Sequence, residues 1–228
     1  MPDAYSGTTK LHYEVSGSGP ALLVLPGLGA DIRDVQTLID GLAASRTVIA
    51  VDNRGAGLSD KPDEPYTIEQ MAVDAVAVLD AVGIERLSVL GYSMGGRIAL
   101  ELALTHPERV DRLVLLATGA RTIPTLSRQA LFAISPYLRI GPKPRQPIFA
   151  FKRQRAASPG YNARTRLAEV AAPTLIVHGR GDRIAPPELA DELHAGIPGS
   201  QLHWYEGGHL SPVFRPAPIV EAVRAFLS

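Results

Sequence analysis

The chain has 228 residues, 46% of them hydrophobic and 20% charged, and its 23 acidic residues balance 23 Lys and Arg. That length and composition suit one folded domain with a sizeable core and exclude a disordered or strongly polyelectrolyte chain. There is no cysteine, so disulfides, a thiol nucleophile and cysteine metal sites are excluded, and no apolar run of 18 residues offers a membrane span. The start, Met1 to Tyr5, has neither the basic segment nor the apolar stretch of a secretory signal, so the expected location is cytoplasmic.

In chain order, residues 3–15 read as a hairpin turning at Ser6-Gly7. Ala21–Leu25 and Thr47–Val51 are short apolar runs of the kind buried on both faces of a parallel sheet, with a helix over Asp34–Ala44 between them. Thr67 and Gln70 have the spacing of a capping box. Ile68, Met71, Ala72, Ala75, Leu79 and Val82 follow at helical intervals, and Gly83 stops the helix. Leu87–Leu90 and Arg112–Ala117 read as strands around a helical run, Arg97–Leu104. Two late strands, Thr174–Val177 and Gln201–Tyr205, alternate with helices over about 187–195 and 217–227. This alternation predicts an α/β fold, a doubly wound, mostly parallel eight-stranded sheet.

The chemistry concentrates where strands end. Gly91-Tyr92-Ser93-Met94-Gly95 is a G-x-S-x-G turn between a strand and a helix, the geometry that lifts a serine hydroxyl clear of the backbone. The helix that follows offers free N–H groups and its positive dipole end to a developing oxyanion. A serine needs a base, and the base needs an orienting group. Asp182 follows one late strand and His209, after Gly207-Gly208, follows the other, giving the order Ser…Asp…His. The plainer alternatives are a serine capping its helix, an aspartate serving a Gly-Asp turn and a structural histidine. Of the other histidines, His106 sits at a helix end, and His178 and His203 lie inside strands.

These segments, with Asp52-Asn53-Arg54-Gly55-Ala56-Gly57-Leu58-Ser59 and Pro26-Gly27-Leu28-Gly29, resemble the α/β-hydrolase fold superfamily over nearly the whole chain. Within it the serine esterase and lactonase branch is similar, small enzymes such as 3-oxoadipate enol-lactonase included. The resemblance implies a carboxylic ester or lactone hydrolase working through an acyl-enzyme, with Ser93, Asp182 and His209 catalytic and no cofactor or metal. It implies an oxyanion hole made of the Leu28 and Met94 backbone N–H groups. Asp52 and Arg54 would shape their loop rather than react. Family members usually carry His-Gly where this chain has Pro26-Gly27, a difference that leaves a backbone donor intact. The same residues would also serve a slow-turnover ligand receptor, a cofactor-free perhydrolase or a C–C hydrolase. Epoxide hydrolase and dehalogenase chemistry is disfavoured, since those branches carry aspartate at the Ser93 position.

The resemblance further implies a core of residues 1–119 and 169–228 and a short lid over 120–168. That segment holds ten Arg and Lys and no Asp or Glu, so the rest of the neutral chain nets about ten negative charges. Such asymmetry fits an anionic or carrier-linked acyl substrate, an acidic carrier protein or an anionic membrane surface, or else arginines that are solvated or paired with the body's own acids. Nucleic acid is not expected, because no aromatic interleaving or binding motif accompanies the charge. Oligomeric state leaves no mark in the sequence.

Overall fold

Runs such as Ala21–Leu25 have no polar face, so they are stable only where both sides of a sheet are covered. The computed structural model describes residues 3–124, 126 and 146–228. In it the strands β1 (Asp3–Ser6), β2 (Thr9–Ser16), β3 (Ala21–Leu25), β4 (Thr47–Val51), β5 (Leu87–Tyr92), β6 (Val110–Leu116), β7 (Thr174–Gly179) and β8 (Gln201–Tyr205) form one sheet. Its order is β1-β2-β4-β3-β5-β6-β7-β8. β1 and β2 pair antiparallel, β2 is antiparallel to β4, and every other pair is parallel.

Alternation along each strand divides the core. Leu22 and Val24 join Val48, Ala50, Val114 and Val177 on one face, under helix α1 (Gln36–Ala43) and the C-terminal helix α7 (Ala217–Leu227). Leu23 and Leu25 join Val89, Leu113, Leu115 and Ile176 on the other, under α2 (Ile68–Val82) and α3 (Met94–Thr105). The remaining described helices are α4 (Ile148–Gly160), α5 (Glu188–Gly196) and the short α6 (Ser211–Phe214). None of the described helices is long and apolar enough to cross a membrane.

The helix ends follow the sequence signals. Thr67 Oγ1 accepts the Gln70 N–H at 3.0 Å, and Gly83 closes α2 in the left-handed region at φ 69°. The helix expected over Asp34–Ala44 is divided, a 3-10 turn at Ile32–Val35 capped by Asp31 leading into α1. α3 starts at Met94, three residues before the helical run read from the sequence. Gly95 and Gly96 are poor helix formers on propensity alone, yet they are required by packing: a side chain at Gly95 would overlap the Leu25 carbonyl, and one at Gly96 would meet Thr118 at 2.5 Å.

Strand order reverses between β3 and β5, β4 lying on one side and β6 on the other. The crevice at the C-terminal ends of β3 and β5 is where such sheets take their ligands. Pro26 and Ser93 stand there.

Candidate active site

Ser93 is the first residue after β5 and has φ 56° and ψ −114°. A non-glycine residue in that region costs on the order of 1–3 kcal/mol and persists only where its surroundings hold it. Here the Ser93 N–H donates to Leu116 O at 2.9 Å, while Thr118 Oγ1–H (2.7 Å) and the Gly96 N–H (3.0 Å) donate to Ser93 O. A side chain at Gly91 would overlap the Gly95 carbonyl, so the two glycines flanking Ser93 by two positions are both steric requirements. The side chain of Ser93 makes no capping hydrogen bond to α3, which removes the helix-cap reading.

Asp182 and His209 lie just past β7 and β8, and the parallel β7–β8 register, with Gly179 opposite Tyr205, carries both to the Ser93 edge of the sheet. Ser93 Oγ is 2.9 Å from His209 Nε2, and His209 Nδ1 is 2.7 Å from Asp182 Oδ2. The ionised carboxylate is acceptor-only, so Nδ1 must donate to it, which leaves Nε2 of the neutral ring as the acceptor for the Ser93 hydroxyl. Asp182 is held in turn: its Oδ1 accepts the Ile184 and Ala185 N–H groups, each at 2.8 Å, and its side chain is fully buried. One Asp182 oxygen thus serves the turn and the other faces His209. His209 is nearly buried at 9% exposure, so the serine–imidazole–carboxylate chain is shielded from water along most of its length.

The segments that carry the two backbone groups named from the sequence border Ser93. Met94 is the first residue of α3, where N–H groups have no intrahelical partner. The Pro26–Ala30 loop passes close to the hydroxyl, since a side chain at Gly27 would lie 3.2 Å from Ser93 Cβ and 3.7 Å from its Oγ. Leu28 follows directly and is partly exposed.

Neighbouring groups that the sequence did not single out fix the arrangement. The Tyr92 hydroxyl donates to His209 O at 2.7 Å, and the two rings lie 5.6 Å apart. Asn53 Nδ2 donates to Pro26 O at 3.0 Å. Position beside Ser93 is the sequence signal that marks Tyr92, Asn53 is marked only by lying in the 52–59 segment, and Thr118 carries none. His178, the residue inside β7, is fully buried 3.8 Å from Asp182 Oδ2; its Nε2 donates to Ala185 O at 2.8 Å. Burial holds its pKa below the ordinary 6.5, so it stays neutral beside the carboxylate.

Asp52 and Arg54 are loop-building residues. Asp52 accepts the Ile32 and Leu58 N–H groups at 2.9 and 2.8 Å, with its pKa raised by burial. Arg54 forms a two-pronged pair with Asp74 at 2.5 and 2.7 Å. The basic stretch is partly neutralised by the body: Arg121 and Arg164 meet Glu192, Arg166 meets Glu101, and Arg153 meets Asp63, all at 3.0–3.2 Å. Arg128, Arg139, Lys143 and Arg145 lie outside the described residues.

Known proteins resemble this chain in sequence and in fold. The model of the alpha/beta hydrolase fold family matches residues 20–138. "Putative carbamate hydrolase RutD" of Azorhizobium caulinodans is 32% identical over 99% of this chain and 98% of its own. The 2-hydroxymuconate semialdehyde hydrolase of Pseudomonas sp. strain CF600 is 32% identical over 96% of this chain and 90% of its own. Among solved structures, an enol-lactonase from Burkholderia xenovorans has a TM-score of 0.85 at 26% identity, covering 99% of each chain.

Proposed function

Since this chain belongs to the α/β-hydrolase fold family, we propose that it is a serine hydrolase that cleaves carboxylic esters or lactones. The observation that carries this is the unbroken Ser93–His209–Asp182 chain, with the imidazole tautomer set by the carboxylate. His209 Nε2 takes the Ser93 proton as Oγ attacks the substrate carbonyl. The Leu28 and Met94 N–H groups stabilise the oxyanion, a contribution worth roughly 10²–10³ in rate per donor in comparable sites. Collapse of the tetrahedral adduct passes the His209 proton to the leaving alcohol and leaves an acyl-Ser93. His209 then deprotonates a water, which attacks the acyl carbonyl and releases the acid. Residues 120–168 would form a short cap on a core of 1–119 and 169–228, setting which acyl and alcohol groups enter.

The experiment is stopped-flow hydrolysis of p-nitrophenyl acetate and butyrate by the purified protein beside Ser93→Ala. A burst followed by turnover in the wild type, absent in Ser93→Ala with an unchanged circular dichroism spectrum, is the expected result. Comparable turnover in that variant would sink the assignment, and a burst with almost no turnover would favour a slow-turnover receptor. A second reading, C–C bond cleavage, is favoured by the similarity to 2-hydroxymuconate semialdehyde hydrolase. It uses the same attack on a carbonyl, and loss of the absorbance of 2-hydroxymuconate semialdehyde, faster than ester turnover, would select it.

A further inference from the structure

A loop that presents one N–H to a reacting atom has to be held to within a fraction of an ångström. Pro26–Ala30 has little means of holding itself: two of its five residues are glycine, and Gly29 is in the left-handed region at φ 71°. Asn53 fixes its start through Pro26 O, and the Ala30 N–H closes a turn onto Gly27 O at 3.2 Å. The third tie comes from 125 residues away. On α4, Gln154 Oε1 accepts the Gly29 N–H at 3.0 Å, and its Nε2 donates to Arg54 O at 2.7 Å.

Gln154 is completely buried. Burying an amide gains little over an apolar side chain of the same size unless its bonds matter, because desolvation offsets most of their strength. Both ends of this amide are spent on main chain, one in the Pro26–Ala30 loop and one in the Arg54 loop. Phe151, one turn earlier on α4, lies so close that a side chain at Gly29 would meet its ring at 2.8 Å. With the Gly29 and Ala30 N–H groups engaged, Gly27 and Leu28 hold the loop's remaining N–H groups, and the serine hydrolase reading assigns that of Leu28 to the oxyanion.

We propose that Gln154 is a positioning residue: it locks Gly29, and through it the Leu28 N–H, in the oxyanion-binding geometry, so that a helix between β6 and β7 completes the site. This rests on the serine hydrolase reading above.

The test compares full-length wild type, Gln154→Met and Gln154→Glu in p-nitrophenyl acetate bursts and in inhibition by phenylboronic acid, which forms a tetrahedral adduct on serine. Met keeps the volume and loses both bonds. Its kcat/KM and its phenylboronic acid affinity are expected to fall together by about tenfold or more, with KM changed less than about twofold. Gln154→Glu, whose buried carboxyl is driven neutral and can then reproduce both bonds, is expected to recover most of that loss. Gln154→Asn, a methylene too short to span both partners, replaces the Met variant if that one does not fold, and should lose the same quantity. A Met or Asn variant with wild-type acylation and boronate affinity overturns the proposal, as does a folded Glu variant no better than Met. A wild type without a Ser93-dependent burst would instead remove the hydrolase reading itself, and this inference with it.

Discussion

Asp182→Asn separates the proposed role of this carboxylate from a purely structural one. Oδ1 is pinned by the Ile184 and Ala185 N–H groups, each at 2.8 Å, so an asparagine keeps its carbonyl oxygen there. Its NH₂ then occupies the position of Oδ2, 2.7 Å from His209 Nδ1. An amide N–H donates and cannot accept, so Nδ1 has to present its lone pair and the ring proton moves to Nε2. Nε2 then points a proton at Ser93 Oγ, 2.9 Å away, and cannot take one from it. The same replacement in a Ser-His-Asp protease costs about 10⁴ in kcat. At about 1.36 kcal/mol per tenfold that is roughly 5.4 kcal/mol of transition-state stabilisation. Because the two backbone bonds survive, the unfolding free energy should move by only about 1 kcal/mol. Steady-state kcat for p-nitrophenyl acetate and urea unfolding measure both. A folded Asp182→Asn protein within about tenfold of wild-type kcat would refute the reasoning, since no other described group within reach sets the His209 tautomer.

Two further outcomes concern stability. Arg54→Met leaves the Asp74 carboxylate buried without its partner, their side chains being 3% and 5% exposed, and is expected to cost about 3–5 kcal/mol in urea unfolding; Arg54→Met with Asp74→Leu should recover most of it. A single-variant loss below about 1 kcal/mol would show that the pair is solvated. His178 is held neutral by burial, with its folded pKa below 6.5, so below about pH 6.5 the unfolded chain binds a proton that the folded one refuses. Stability is therefore kept above that pH and falls as the solution becomes more acid. His178→Gln should flatten the decline of Tm between about pH 6.5 and 5, and an equal slope in both proteins would count against it.

Much of the architecture was legible because its signals are local. Apolar runs of five residues, the Thr67 cap, the Gly83 stop and the glycines around Ser93 act over a few positions, and each strand ends where the chemistry-bearing residues begin. Helix starts were less legible. α3 begins at Met94 and continues through two glycines whose requirement comes from the Leu25 carbonyl and Thr118, contacts that no periodicity encodes. The charge of 120–168 was visible as a sum. Its distribution over Glu192, Glu101 and Asp63 was not, because pairing depends on which surfaces meet.

By itself the sequence determined which residue types stand at strand ends and in what order, because the turn, cap and stop preferences behind them are properties of neighbouring residues. Tertiary structure alone decided that Ser93, His209 and Asp182 meet at 2.9 and 2.7 Å, through the register of β5, β7 and β8. It also decided that His178, inside the same strand that delivers Asp182, stays buried against Ala185 instead. The ties from Tyr92, Thr118 and Gln154 span 117, 25 and 125 residues. A hydrogen bond across such separations exists only where packing has already set two elements within 3 Å of each other, and packing is a property of the folded whole.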